Sequence, residues 1–131
     1  MTQSNNRQLP AFQENPGKVS PQATDIEEAL LGICLVYPDT IFDLRLLPGM
    51  FYHYRHQQIF SAMMEVAKGG SCDLLTVTNH LRNQGRLDQA GGVVYLTGLT
   101  YNAISNQLAT RYALIVREKF IRREYIRLSY E

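Results

Sequence analysis

The chain has 131 residues, 45% of them hydrophobic, and a net charge of +1. That suits one domain with a real core, and the missing basic field weakens direct nucleic-acid binding without excluding it. Two cysteines, Cys34 and Cys72, are too few for a disulfide-stapled secreted domain and read as reduced, largely buried thiols. The start, MTQSNNRQLP, lacks the basic and apolar regions of a signal peptide. The longest apolar run, residues 29–37, falls short of the ~20 residues of a membrane helix. A soluble, cytoplasmic protein is expected.

Residues 1–20 are polar, with Pro10, Pro16 and Gly17, and read as a disordered arm. The first helix should begin at Thr24, where Thr24 and Glu27 have the spacing of a capping box. Ile26, Ala29, Leu30, Ile33, Cys34 and Tyr37 then recur at three and four, and Pro38 stops the helix. Gly32 within it is costly relative to Ala and implies a close helix approach.

Asp39 should cap a short helix holding Ile41, Phe42 and Leu44, before the turn at Pro48-Gly49. A third helix, about residues 53–68, places His56, Ile59, Phe60, Met63 and Ala67 on one face. Gly69-Gly70 closes it. A fourth should start at Thr76 as N-cap, turn Leu81 inward and end at Gly85. Gly91-Gly92 opens a small fifth helix with Tyr95, Leu96 and Leu99 inward.

Residues 105–131, SNQLATRYALIVREKFIRREYIRLSYE, contain neither Gly nor Pro and read as one long helix. Its polar strip is narrow: Arg111, Glu118, Arg122 and Ser129. Apolar residues cover most of the remaining circumference, more than the ~100° sector of a one-sided helix, so burial on at least two sides is expected. Without a terminal cap or polar tail, the end at Glu131 reads as artificial, with apolar surface left for a missing helix or another subunit. No β-branched run has period two. The fold reads as all-α: a compact helical globule, 21–104, followed by one long helix, 105–131.

His53 and His56 stand at i, i+3 but lack the further ligands of a metal site; a core or capping role for His56 and a surface role for His53 are favoured. No P-loop, nucleophile elbow or paired acid is present. The last helix carries Arg111, Arg117, Lys119, Arg122, Arg123 and Arg127 beside Glu118, Glu124 and Glu131. A solvated face with i, i+4 pairs is favoured over a surface for nucleic acid or a partner.

Several pieces together resemble the amino-terminal domain of the bacterial replicative DNA helicase DnaB. They are PQATDIEEALLG at 21–32, Phe51-Tyr52, HQQIF at 56–60, DLLT at 73–76 with Leu81, and Gly85-Arg86-Leu87. Gly91-Gly92, Tyr95-Leu96 and YALIVREK at 112–119 complete the series. The resemblance implies that the long helix is the first arm of a helical hairpin whose second arm is absent. It implies that hairpins pair between subunits in the collar of a hexameric ring, and that primase docks there through its carboxy-terminal domain. A helicase loader is a further partner it suggests, and DNA would pass through the parent ring.

ATP and Mg would belong to a separate P-loop domain, so no cofactor and no catalysis are expected in this chain. On this reading Ile115, Ile121, Arg122, Tyr125, Ile126 and Leu128 form the oligomer or primase interface, with Ile126 the first choice. Asn106, Gln107 and Leu108 depart from the family pattern and leave the join between globule and hairpin open. Two alternatives stand beside this reading: a nucleic-acid-binding module that uses the basic helix, and a free-standing adaptor or loader related to the collar.

Overall fold

The computed structural model describes residues 22–130; the arm expected at 1–20 lies outside them. Five α-helices follow one another: α1 (Thr24–Val36), α2 (Tyr54–Ala67), α3 (Leu74–Asn83), α4 (Gly92–Leu99) and α5 (Ala109–Ser129). Two 3-10 helices, Pro38–Asp43 and Pro48–Met50, lie between α1 and α2. No strand occurs among the described residues, and the architecture is all-α.

The domain is built around α1. Leu30, Leu31, Ile33, Cys34 and Leu35 are all buried, so its middle is covered around the full circumference instead of on one face. α2, α4 and α5 supply the cover. Gly32 lets the C-terminal end of α4 in: a Cβ there would lie 2.0 Å from the Leu99 carbonyl oxygen. The second layer comes from Ile59, Phe60 and Met63 of α2, Val77 and Leu81 of α3 and Leu96 of α4. Phe51 meets Phe60 with ring centroids 4.9 Å apart. Cys34 and Cys72 are buried free thiols. Burial and then the neighbouring Cys72 push the Cys34 thiol up to about 12, so it is inert as a nucleophile.

Four helix starts differ from the sequence reading, the fourth being that of α5, described below. The capping box at Thr24 does not form. Ala23 is the N-cap, and Thr24 is the first helical residue. The Thr24 hydroxyl turns back to donate to Gln22 Oε1 at 2.9 Å, and the Glu27 side chain goes into the core, where it has stronger partners. Asp39 does not cap the next segment; it lies inside a 3-10 turn that begins at Pro38, with Tyr37 as N-cap. In that turn Ile41 and Leu44 are buried but Phe42 is exposed.

The third difference is at α3, which starts earlier than expected because Asp73, not Thr76, is the N-cap. The Thr76 N–H donates to Asp73 Oδ1 at 2.8 Å. These bonds hold the Asp73 carboxyl below its usual range. Asp73→Ala should therefore cost about 1 kcal/mol. A depressed folded-state value means that the contribution is present above the unfolded carboxyl value and is lost as pH falls through the folded one. Urea midpoints of both proteins, followed from neutral pH downward, should converge in acid.

The end of α3 follows the sequence. Gly85 is left-handed at φ 69°, the Arg86 N–H donates to Leu81 O at 2.9 Å and the Gly85 N–H to Arg82 O at 3.1 Å. Together these form a Schellman motif.

The long helix begins at Ala109, four residues later than its composition suggested. The Gln107 N–H donates to Ser105 Oγ at 3.2 Å, a local bond that competes with helix. Its buried stripe is Ala109, Ala113 and Val116. Two alanines bring the backbone of α5 close to α1; larger side chains would hold it off. Arg117 and Arg123 then reach off the helix, to Leu44 O and to Met50 O respectively, each at 2.9 Å. Arg123 also lies over the Tyr52 ring, 5.2 Å from its centroid. The two arginines clamp α5 to the end of the first 3-10 helix and to the second.

Candidate functional site

Two features stand apart from the ordinary core. The first is a polar cluster at the junction of α1, α2 and α4. Glu27 is 2% exposed and His56 1%. His56 Nδ1 lies 2.7 Å from Glu27 Oε1, and Glu27 Oε2 accepts the Tyr52 N–H at 2.7 Å. On the other side of the ring, His56 Nε2 lies 2.6 Å from the Tyr95 hydroxyl, which donates to Glu28 Oε2 at 2.7 Å. Burial and then the Glu28 carboxylate push the Tyr95 hydroxyl upward, so it remains a donor.

His56 is thus the core residue that the sequence favoured, with both ring nitrogens engaged. His53 stands at the N-cap position of α2 without a side-chain capping bond; against the surface role expected of it, it is half-buried and meets the Thr24 hydroxyl through Nε2 at 2.7 Å. Among the described residues no group of three or more His, Cys, Asp or Glu side chains could hold a metal ion. The cluster fastens α1, α2 and α4 to one another.

The second feature is the outer side of α5. Leu114, Ile121 and Leu128 are 51%, 55% and 56% exposed, and Tyr125 is 77% exposed. Three of these are seven residues apart and the fourth falls between the last two, so they share one face. At ~100° per residue it lies roughly 130° around the helix from the Ala109–Val116 stripe. Such spacing is the pattern of a helix seam, and exposed apolar side chains in a row mark an interaction surface.

Of the six residues singled out from sequence, Ile121, Tyr125 and Leu128 lie on this crest. Arg122 is exposed beside it, and Ile115 and Ile126 are half-buried on the same flank. Leu114 belongs to the crest and was not singled out. The heptad spacing from Ile121 and Leu128 was the signal for it. The expected burial on two sides is met on one side only within this chain. The described residues include no helix long and apolar enough to cross a membrane.

The basic residues of α5 are partly occupied at home. Arg117 and Arg123 clamp the loop, and Arg127 pairs with Glu124 at 3.0 Å. That removes half of the cations that a phosphate-binding face would need.

The domain is small and all-helical, with a buried polar cluster and an exposed apolar helix face. The chain belongs to the DnaB-like helicase N terminal domain family, whose sequence model matches residues 19–118. It is 41% identical over 119 residues to the replicative DNA helicase DnaB of Rhodothermus marinus. That match takes in 88% of this chain but 13% of the relative. Among solved structures, the N-terminal domain of DnaB helicase from Mycobacterium tuberculosis superposes with a TM-score of 0.80 at 33% identity. The match covers 86% of this chain and 80% of that one. A structure of a DnaB-like replicative helicase and its interactions with primase gives a TM-score of 0.74 at 28% identity, over 82% of this chain and 26% of that one.

Proposed function

We propose that this chain is the collar domain of a replicative DNA helicase and that it mediates subunit association. In this reading α5 is the first arm of a hairpin, and its crest of Leu114, Ile121, Tyr125 and Leu128 pairs with the corresponding arm of a neighbour. That exposed crest is the observation that carries the reading. The remainder of the parent, which unwinds DNA with ATP and Mg, lies outside this chain. Primase docks on the assembled collar, a step supported by the similarity to a helicase described with its primase interactions. The setting is the bacterial cytoplasm.

The test is Ile121→Asn and Leu128→Asn in the full-length protein. Burying one such side chain contributes roughly 1.5–3 kcal/mol, and in a two-fold pairing each substitution counts twice. Sedimentation should show subunit association weakened by about a hundredfold or more, with an unchanged helical signal. Intact hexamers and undiminished primase binding in both variants would reject the assignment. A direct nucleic-acid role for α5 would instead show DNA binding by this chain that falls steeply with salt.

A further inference from the structure

The exposed side of α5 is ordered by charge as well as by size. Leu114, Glu118, Ile121, Tyr125 and Leu128 follow one another at alternating intervals of four and three, the spacing of a seam between two helices. Arg117 and Glu124 border this seam on one side, and Ile115 and Arg122 on the other. Glu118 and Arg122 are exposed, and Ile115 is half-buried. A second open surface is a groove of about 770 Å³ between α1, α4 and the beginning of α5, with Asp25 and Glu28 at one end. Leu108 and Tyr112 line it, roughly 140° around α5 from the seam, so a helix seated on the seam does not cover it.

We infer that two copies of α5 pair antiparallel along this seam, about a two-fold axis near Lys119. The inference rests on the reading of the crest as a subunit contact and adds the direction of the partner. Lys119 is the midpoint of Ala109–Ser129, so the two helices overlap over their whole length, about 30 Å.

Charge selects the direction. A two-fold contact must be self-complementary, each residue meeting in the partner the residue that meets it in return. In the antiparallel pair Leu114 lies beside the partner's Tyr125 and Glu118 beside the partner's Ile121. Arg117 then stands next to the partner's Glu124, an opposite pair formed twice, and the stem of Arg122 lies over the partner's Ile115. Parallel pairing sets Arg117 against the partner's Arg122, again twice, and Glu118 against its own copy. Charges beside a helical seam fix the orientation of the partner in this way. The loop contacts of Arg117 do not compete: both are made by Nη2, and a guanidinium has further donors on Nε and Nη1.

Cysteine pairs report the direction. Leu114 and Tyr125 are both exposed and stand about 16 Å apart on α5, too far to bond within one helix. The native Cys34 and Cys72 are buried. In the full-length protein, Leu114→Cys and Tyr125→Cys combined should give, after oxidation with diamide, about tenfold more disulfide-linked dimer than wild type on a non-reducing gel. Each substitution alone should give no more than wild type. Linked dimer from either single variant overturns the inference, because these residues meet their own copies only in a parallel pair; the crest would remain a subunit contact. No linked dimer from any variant overturns it as well, and intact hexamers in the same samples then reject the crest as a contact too.

Discussion

Gly32→Ala is expected to destabilise the domain by about 3 kcal/mol or more, enough to unfold a domain of ordinary stability in part. The added Cβ would meet the Leu99 carbonyl oxygen at 2.0 Å and its carbon at 2.9 Å. The obstacle is backbone and has no rotamer to turn, so α4 must move away from α1. Gain in helix propensity, about 1 kcal/mol, is too small to offset this. Gly98 in α4 makes the control, because a Cβ there meets nothing within 4 Å. Gly98→Ala should stabilise by up to about 1 kcal/mol. Urea unfolding of the two variants should move in opposite directions. A Gly32→Ala midpoint at or above wild type would mean that the α1–α4 contact is looser than described.

Glu27→Ala is expected to cost about 3–5 kcal/mol. It leaves His56 and the Tyr52 N–H without their buried partner, and the loss of two hydrogen bonds to a charged acceptor is compounded by burial. His56→Ala should cost a comparable amount, since it strands Glu27. The double variant should lose clearly less than the two single losses combined, because each removes the other's unpaired group. Simple additivity in that thermodynamic cycle would show that the pair is not coupled.

The sequence spoke most clearly where one physical cause acts locally. Gly85 ends α3 because a left-handed residue is needed there, and Gly32 implied a close approach because nothing else accounts for a glycine inside a buried helix. The absence of period-two runs left only helices. The errors came where local and tertiary bonds compete. Thr24 and Glu27 have capping-box spacing, but Glu27 forms its bonds with residues 25 and 29 positions away. Thr76 looked like a cap, but Asp73, three residues earlier, is the N-cap and accepts the Thr76 N–H.

On α5, attention to large apolar residues hid the packing stripe, which begins with two alanines. Size says what can be buried, but smallness says what can come close. The crest was half legible: Ile121, Tyr125 and Leu128 stood out by type, and Leu114 follows from their heptad spacing. The acidic groove was not legible, since its walls come from residues 25–33, 94–105 and the first turn of α5.

The arginine clamp has an evolutionary consequence. Arg117 and Arg123 grip main-chain oxygens of Leu44 and Met50, and a carbonyl is the same whichever side chain accompanies it. The loop they hold can therefore drift in sequence, at Phe42 and Leu47 above all, while keeping its attachment to the helix. Descendants of this domain can acquire new surface chemistry beside α5 by point substitution without re-solving how the helix is anchored. The two arginines themselves have no such latitude.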